Sequence, residues 1–191
     1  MRVRGFTLTL IGCLDKPVGI VDKLVVAVLA GGRGTRLGGA KAMVELDGAP
    51  LIERPLAAAR AAGLEAFVVA KRGTALPDVP TWHEPDEPTH PLLGLIVALE
   101  HGPVIAVACD QPWVTAEMLR SLAAHDGPAL AVADEPFPGR YDPAQLPLLR
   151  AALHDEASLR ATLARLAPPA LGLEPALVRS VNTREELAAA E

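Results

Sequence analysis

The sequence predicts an α/β fold of three layers, α/β/α, with a mostly parallel sheet between two sets of helices. Two observations predict it. Short runs that are apolar on both faces recur along the chain, which is how strands buried inside a parallel sheet read. Stretches with helical spacing of apolar residues lie between them, and such alternation places helices on both faces of the sheet. Nothing repeats at a fixed period and no flexible linker divides the chain. Residues 1–22 are therefore read as an N-terminal extension, and 23–191 as a single domain.

Residues 24–30 form the first strand, stopped by Gly31 and Gly32. Leu51, Ile52, Leu56 and Ala59 give residues 50–62 helical spacing, which Gly63 ends. Residues 66–70 are the next strand and 81–84 a weaker one, followed by a proline-rich loop over 85–91. A helix is expected over 92–100, then a strong strand over 104–108 that ends at Cys109 and Asp110. Thr115 can cap a helix over 116–124, and 129–133 reads as another strand. A turn-rich connection at 136–139 leads to helices over 145–153 and 159–166. A short strand is expected over 177–181. The pattern Thr183-Arg184-Glu185-Glu186 then opens a final helix with a capping box.

Composition narrows the function. With 191 residues, half of them hydrophobic, the chain is too apolar for a disordered protein. Its net charge is −5, no Lys or Arg run forms a basic stripe, and 3% aromatic content leaves few stacking platforms. Nucleic acid is excluded as a polymer partner on those grounds. Two cysteines, Cys13 and Cys109, make no disulfide framework, and no Cys/His cluster has zinc spacing. No apolar stretch reaches the roughly 20 residues of a membrane-spanning helix, so no membrane partner and a cytoplasmic location are expected. Arg2, Arg4 and Leu10-Ile11-Gly12-Cys13 resemble a lipoprotein signal, against which stand a genuine extension or a translation start placed too far upstream.

In sheets of this kind ligands sit outside the carboxyl ends of the strands. The first strand runs into a loop ending at Lys41 that holds five glycines within nine residues, together with Arg33 and Arg36. Little side-chain bulk lets backbone N–H groups approach phosphate oxygens, and an Arg fork with a Lys point charge suits a triphosphate. The bland alternative is a turn with solvated basic residues. A Walker A loop is excluded because Ala40 and Ala42 flank Lys41. A dinucleotide fingerprint is excluded because Gly38 falls one residue late.

The strand over 104–108 delivers Asp110 to the same end. Its carboxylate suits magnesium, which takes one or two carboxylates plus phosphate oxygens; capping the turn before Pro112 is the equal alternative. Cys109 reads as a buried core residue, and Trp113 as packing with a lesser chance of meeting a flat ring. The five histidines lack ligand spacing, although His90 lies in the proline-rich loop. Arg150, Arg160 and Arg165 could form a basic patch for an anionic substrate, with a solvated helix face as the safer reading.

The stretch Leu29-Ala30-Gly31-Gly32 through Arg36 and Gly38 to Lys41 resembles the signature loop of small sugar-nucleotide-type nucleotidyltransferases. Within them the chain is most similar to the molybdenum cofactor guanylyltransferase family (molybdopterin-guanine dinucleotide biosynthesis protein A, MobA-like NTP transferases). Residues 46–53, 91–95, Cys109-Asp110-Gln111-Pro112 and 181–187 agree, so the likeness runs from about Leu24 to the C-terminus. The resemblance implies a Rossmann-like nucleotidyltransferase (nucleotide-diphospho-sugar transferase) fold. It implies magnesium-dependent transfer of GMP from GTP to the molybdenum-bound molybdopterin, with release of pyrophosphate. Leu29, Ala30, Gly31 and Gly32 would line the nucleotide site, Arg36 and Lys41 would hold the triphosphate catalytically, and Asp110 would ligate Mg2+. Asn182 and Thr183 sit where the family places residues near the pterin, with a helix cap as the alternative.

Three departures bear on base choice. Ala40 stands where the family often has Asp, Ala70 where an Asn commonly contacts the nucleotide, and the family's next Asp falls on Glu84-Pro85-Asp86. Either acid is a candidate to accept from guanine N1–H and N2–H₂, with Asp86 carried forward as the nucleotide contact. GTP and the molybdenum cofactor are thus the expected partners, along with molybdoenzyme-maturation proteins. A monomer or weak homo-oligomer is expected, since no heptad or extended apolar face stands out. The alternatives are a cytidylyltransferase on the same cofactor, a nucleotidyltransferase on another phosphorylated acceptor, and a non-catalytic nucleotide-binding protein.

Overall fold

A computed structural model describes residues 23–31 and 41–189. The readings made on residues 1–22, and those on Gly32, Arg33 and Arg36, lie outside the described residues. The strands are β1 (Val25–Leu29), β2 (Glu45–Leu46), β3 (Ala49–Pro50), β4 (Ala66–Lys71), β5 (Thr81–Glu84), β6 (Val104–Ala108), β7 (Ala129–Leu130) and β8 (Gly139–Tyr141). The helices are α1 (Glu53–Ala62), α2 (Pro91–Glu100), α3 (Ala116–Ala124), α4 (Leu146–His154), α5 (Leu159–Leu166) and α6 (Arg184–Ala188).

Six strands form one sheet in the order β5-β4-β1-β6-β8-β7, and β2 pairs with β3 in a separate hairpin. β5, β4, β1 and β6 run parallel, while β8 is antiparallel to both β6 and β7. Side chains alternate across a strand, and the apolar runs are therefore split between two cores. Val26, Val28, Val68, Ile105 and Val107 pack against α1 and α3. Val25, Ala27, Val69, Val104 and Ala106 pack against α2, α4 and α5. The three-layer expectation holds.

α2 is the most enclosed helix for a local reason. Its sequence is apolar on every side, eight of its ten residues are buried, and His90 caps it by accepting from the Leu92 N–H at 3.2 Å. Thr115 caps α3 and Thr183 closes a capping box on α6, both as expected. None of the described helices is long and apolar enough to cross a membrane.

Three expectations are corrected. Only the first two residues of 129–133 form a strand, because β8 offers a partner over Ala129 and Leu130 and the chain then turns at Asp134, φ 62°. The expected strand over 177–181 is absent: Pro175–Val178 is a 3-10 turn, capped by the Glu174 side chain at Ala176 N. β8 lies at the end of the segment read as a turn. Gly139 begins it where a Cβ would come within 2.8 Å of the Pro136 carbonyl oxygen and of the Tyr141 ring.

Gln111 staples these irregular parts to the sheet. Its buried amide donates to Phe137 O and Val178 O, both at 2.7 Å, and accepts from Ala108 N at 3.2 Å. Burying an amide is tolerated when its bonds are made, and removing it strands the backbone partners. Gln111→Ala is expected to cost about 2–4 kcal/mol of unfolding free energy in denaturant titration; a loss under about 0.5 kcal/mol would show that solvent satisfies those groups instead.

Candidate active site

The pairing of β1 with β6 sets Leu29 opposite Ala108, and the ladder continues one step further as Cys109 N donates to Leu29 O at 3.1 Å. Gly31 and Asp110 therefore leave adjacent strands at the same end of the sheet. Lys41 begins a 3-10 turn, Lys41–Met43, whose Ala42 is buried and whose Ala42 carbonyl accepts from Ile52 N at 3.1 Å. That anchorage directs Lys41 to Asp110, where Nζ and Oδ2 form an ion pair with side chains only 15% and 14% exposed. Lys41 Nζ also donates to Asn182 Oδ1 at 2.7 Å.

The C-terminal segment is held to this point from two sides. Val181 N donates to Asp110 O at 2.9 Å, and Glu186 accepts from Asn182 N and Thr183 N at 2.6 and 3.2 Å. Val181 also packs with Leu46 and Leu51, with Leu187 and Trp113 against them. The β2–β3 hairpin and α6 thus share one small core beneath the cluster.

Asp110 Oδ1 is buried and has no hydrogen-bond partner. A desolvated carboxylate oxygen left without a donor is costly unless something positive meets it. That atom fits a magnesium ion, which is content with one protein carboxylate when phosphate oxygens and water complete its shell. No group of three or more His, Cys, Asp or Glu among the described residues competes as a metal centre.

Beside the cluster, at the ends of β1, β4 and β5, lies a cavity of about 290 Å3 lined by Leu29, Gly31, Lys71, Glu84, His90 and Gly94, among others. Glu84 is the buried carboxylate of this cavity, 7% exposed. It fits because two neighbours have no side chain. A Cβ on Gly31 would overlap its carboxylate, and one on Gly94 would stand 3.1 Å from Oε2. Burial pushes the Glu84 carboxyl above its ordinary range, and the Lys71 charge opposes that only in part. Lys71 itself donates to the Asp86 backbone oxygen.

Of the residues expected at the site, Lys41, Asp110 and Asn182 come together, and Leu29 and Gly31 line the cavity. Ala30 is buried, its N–H donating to Val69 O at 2.8 Å. Thr183 serves α6, its hydroxyl accepting from Glu186 N at 3.1 Å. Asp86 sits on the exposed turn after β5 and is not among the cavity residues; of the two acids, Glu84 faces the cavity. Sequence reasoning weighed both acids and carried Asp86 forward, although the alternation over β5 carries the signal for the other: Trp82 and Glu84 are both buried. The Cys109 thiol is pushed up to about 12, first by burial and then by the Asp110 charge, so it is inert as a nucleophile.

A mostly parallel sheet wound in this order, with a charged cluster at the carboxyl ends of its central strands, is a Rossmann-like α/β fold of the nucleotidyltransferase kind. The chain superposes on the crystal structure of molybdopterin-guanine dinucleotide biosynthesis protein A from Archaeoglobus fulgidus with a TM-score of 0.72 at 24% identity, covering 87% of this chain and 96% of that one. Residues 26–171 match the MobA-like NTP transferase domain, and the chain belongs to that family. It is 34% identical over 121 residues to a protein of Deinococcus radiodurans named probable molybdenum cofactor guanylyltransferase, a match spanning 61% of this chain and 62% of that protein. A second protein of that name, from Carboxydothermus hydrogenoformans, is 33% identical over 107 residues, 54% of each chain. The matched segment covers less than two thirds of either relative.

The raised Glu84 pKa has a defined sign for stability. The folded state holds the proton more tightly than the unfolded chain, so stability from this group is present below the ordinary value of 4.5 and is lost as pH rises through the folded value. Glu84→Gln lacks that loss. Its thermal midpoint is expected to match the wild type at acid pH and exceed it near pH ~7; a difference independent of pH would show that the carboxylate is not desolvated.

Proposed function

We propose that the chain transfers GMP from GTP to the terminal phosphate of molybdenum-bound molybdopterin, releasing pyrophosphate. The observation that carries this reading is the meeting of Lys41, Asp110 and Asn182 beside a cavity with one buried carboxylate, in a chain of this family. The cavity supports a guanine site. Ionised Glu84 accepts from two parallel N–H donors, the arrangement that guanine presents through N1–H and N2–H₂. The pairing edge of cytosine has an acceptor beside its amino group, so the same carboxylate would meet a lone pair. Glu84 thus favours GTP over CTP.

The triphosphate would run from that cavity toward Lys41, with Arg36 assigned beside it from the loop pattern. Lys41 would exchange part of its contact with Asp110 for phosphate oxygens, and its charge would offset the negative charge growing on pyrophosphate as it leaves. Asp110 would hold magnesium through its unpartnered carboxylate oxygen, and the ion would supply positive charge to neutralise phosphate during transfer. The attacking phosphate is already ionised, so no side chain has to remove a proton. Catalysis by these residues is then positioning plus charge neutralisation. Asn182, tied to Lys41 at one end and to Glu186 through its backbone, would orient the acceptor side.

Labelled GTP, CTP and ATP, each offered with magnesium and the molybdenum cofactor, test the reading. Product is expected from GTP; product from CTP alone would move the chain to cytidylyl transfer, and GTP binding without product would leave a nucleotide-binding protein. Asp110→Asn is expected to lower kcat by about 100-fold or more while GTP Kd shifts less than about fivefold. Lys41→Ala is expected to weaken GTP binding and slow transfer together, and unchanged kinetics would remove Lys41 from the site.

A further inference from the structure

Asn182 belongs to a second, larger space as well as to the Lys41 cluster. On its far side lies a groove of about 710 Å3, lined among others by Trp113, Glu135, Val178, Arg179, Asn182 and Glu186. The groove is continuous with the cluster through Asn182, and none of its lining residues is shared with the Glu84 cavity. It has more than twice that cavity's volume.

Its charges are uneven. Arg179 is the one cation among the described lining residues, and Glu135 and Glu186 are its carboxylates. Glu186 is already occupied by Asn182 N and Thr183 N. Among the described lining residues an anionic ligand entering this groove has a single partner of opposite sign, Arg179. Arg179 is fixed for that task at two points: its Nε donates to Ala176 O at 3.1 Å, and its guanidinium lies 4.7 Å from the centre of the Trp113 ring. Stacking on an aromatic face restrains the flat guanidinium while leaving its terminal N–H edges for carboxylate or phosphate oxygens. Trp113 is in turn seated against the Leu46, Leu51 and Val181 core, so the pair stands on the same base as the catalytic cluster.

We propose that Arg179, held by Trp113, binds the anionic acceptor of the transfer reaction: a flat, phosphorylated heterocycle lying in this groove with its reactive phosphate directed past Asn182 toward Asp110. Arg179 is the binding residue and Trp113 its positioning residue. The assignment rests on the transferase reading, and it separates two compartments, a base cavity at Glu84 and an acceptor groove at Arg179, with Lys41 and Asp110 between them.

Steady-state kinetics on Arg179→Ala, Arg179→Lys and Trp113→Leu, with the molybdenum cofactor and GTP varied in turn, test it. Arg179→Ala is expected to raise KM for the cofactor by about 10-fold or more while KM for GTP moves less than about twofold. Arg179→Lys should recover part of the loss, and Trp113→Leu should fall between. An unchanged cofactor KM, or equal rises in both, would overturn the assignment. Equilibrium binding of the isolated cofactor, without nucleotide, separates the two readings. Wild-type binding that Arg179→Ala weakens, with no transfer from GTP, retires the guanylyltransferase reading and leaves the groove assignment standing. Transfer by a fully competent Arg179→Ala retires the groove assignment alone. A wild type that does not bind the cofactor overturns it too.

Discussion

Between Leu29 and Ala108 the parallel pairing of β1 with β6 brings two chain segments side by side that are nearly eighty residues apart in sequence. Everything chemical in the molecule hangs on that register. A slip of one residue would turn Val26 and Val28 from the α1–α3 core to the opposite core, and would carry Gly31 away from Glu84 and Asp110 away from Lys41. The strands resist such a slip because each face is packed against its own set of helices, and shifted side chains would not fit the opposite core. The site inherits its precision from packing that has no chemical role.

On that base the protein holds a carboxylate–ammonium pair nearly out of water, with one carboxylate oxygen unpartnered. Such a pair adds little net stability, since desolvating two charges consumes most of their attraction. Removing one member is a different matter, because a charge is then left buried alone. On the proposed function the pair would keep both groups oriented until phosphate oxygens and a cation replaced the contact. Around it, Gln111, the β2–β3 hairpin and the capping box of α6 convert a long C-terminal excursion into a fixed wall.

Much of this was legible beforehand. The strands beneath the site are short apolar runs bounded by Gly, Pro or Asp, and period and punctuation place them within a residue. Gly31 and Asp110 stand just past strand ends, where ligand sites form in such sheets. What was not legible depends on contacts distant in sequence. Nothing near Asn182 announces Lys41, 141 positions away. The choice between Glu84 and Asp86 depends on which side chain turns inward, and only the glycines at 31 and 94 make room for the inward one. The expected strand over 177–181 failed for the same reason: its apolar residues serve a 3-10 turn and the Asp110 backbone, and no ladder is available to it. Asn182 and Thr183, adjacent in sequence, go different ways: the side chain of one meets Lys41 and that of the other caps a helix.

The central claim is spatial: the base in the Glu84 cavity, the triphosphate at Lys41, and the metal at Asp110. A crystal structure with a non-hydrolysable GTP analogue and Mn2+, located by its anomalous scattering, addresses all three at once. The account predicts a manganese peak bonded to Asp110 Oδ1 and guanine N1–H and N2–H₂ donating to Glu84. Guanine bound in the Arg179 groove, or manganese held away from Asp110, would contradict it.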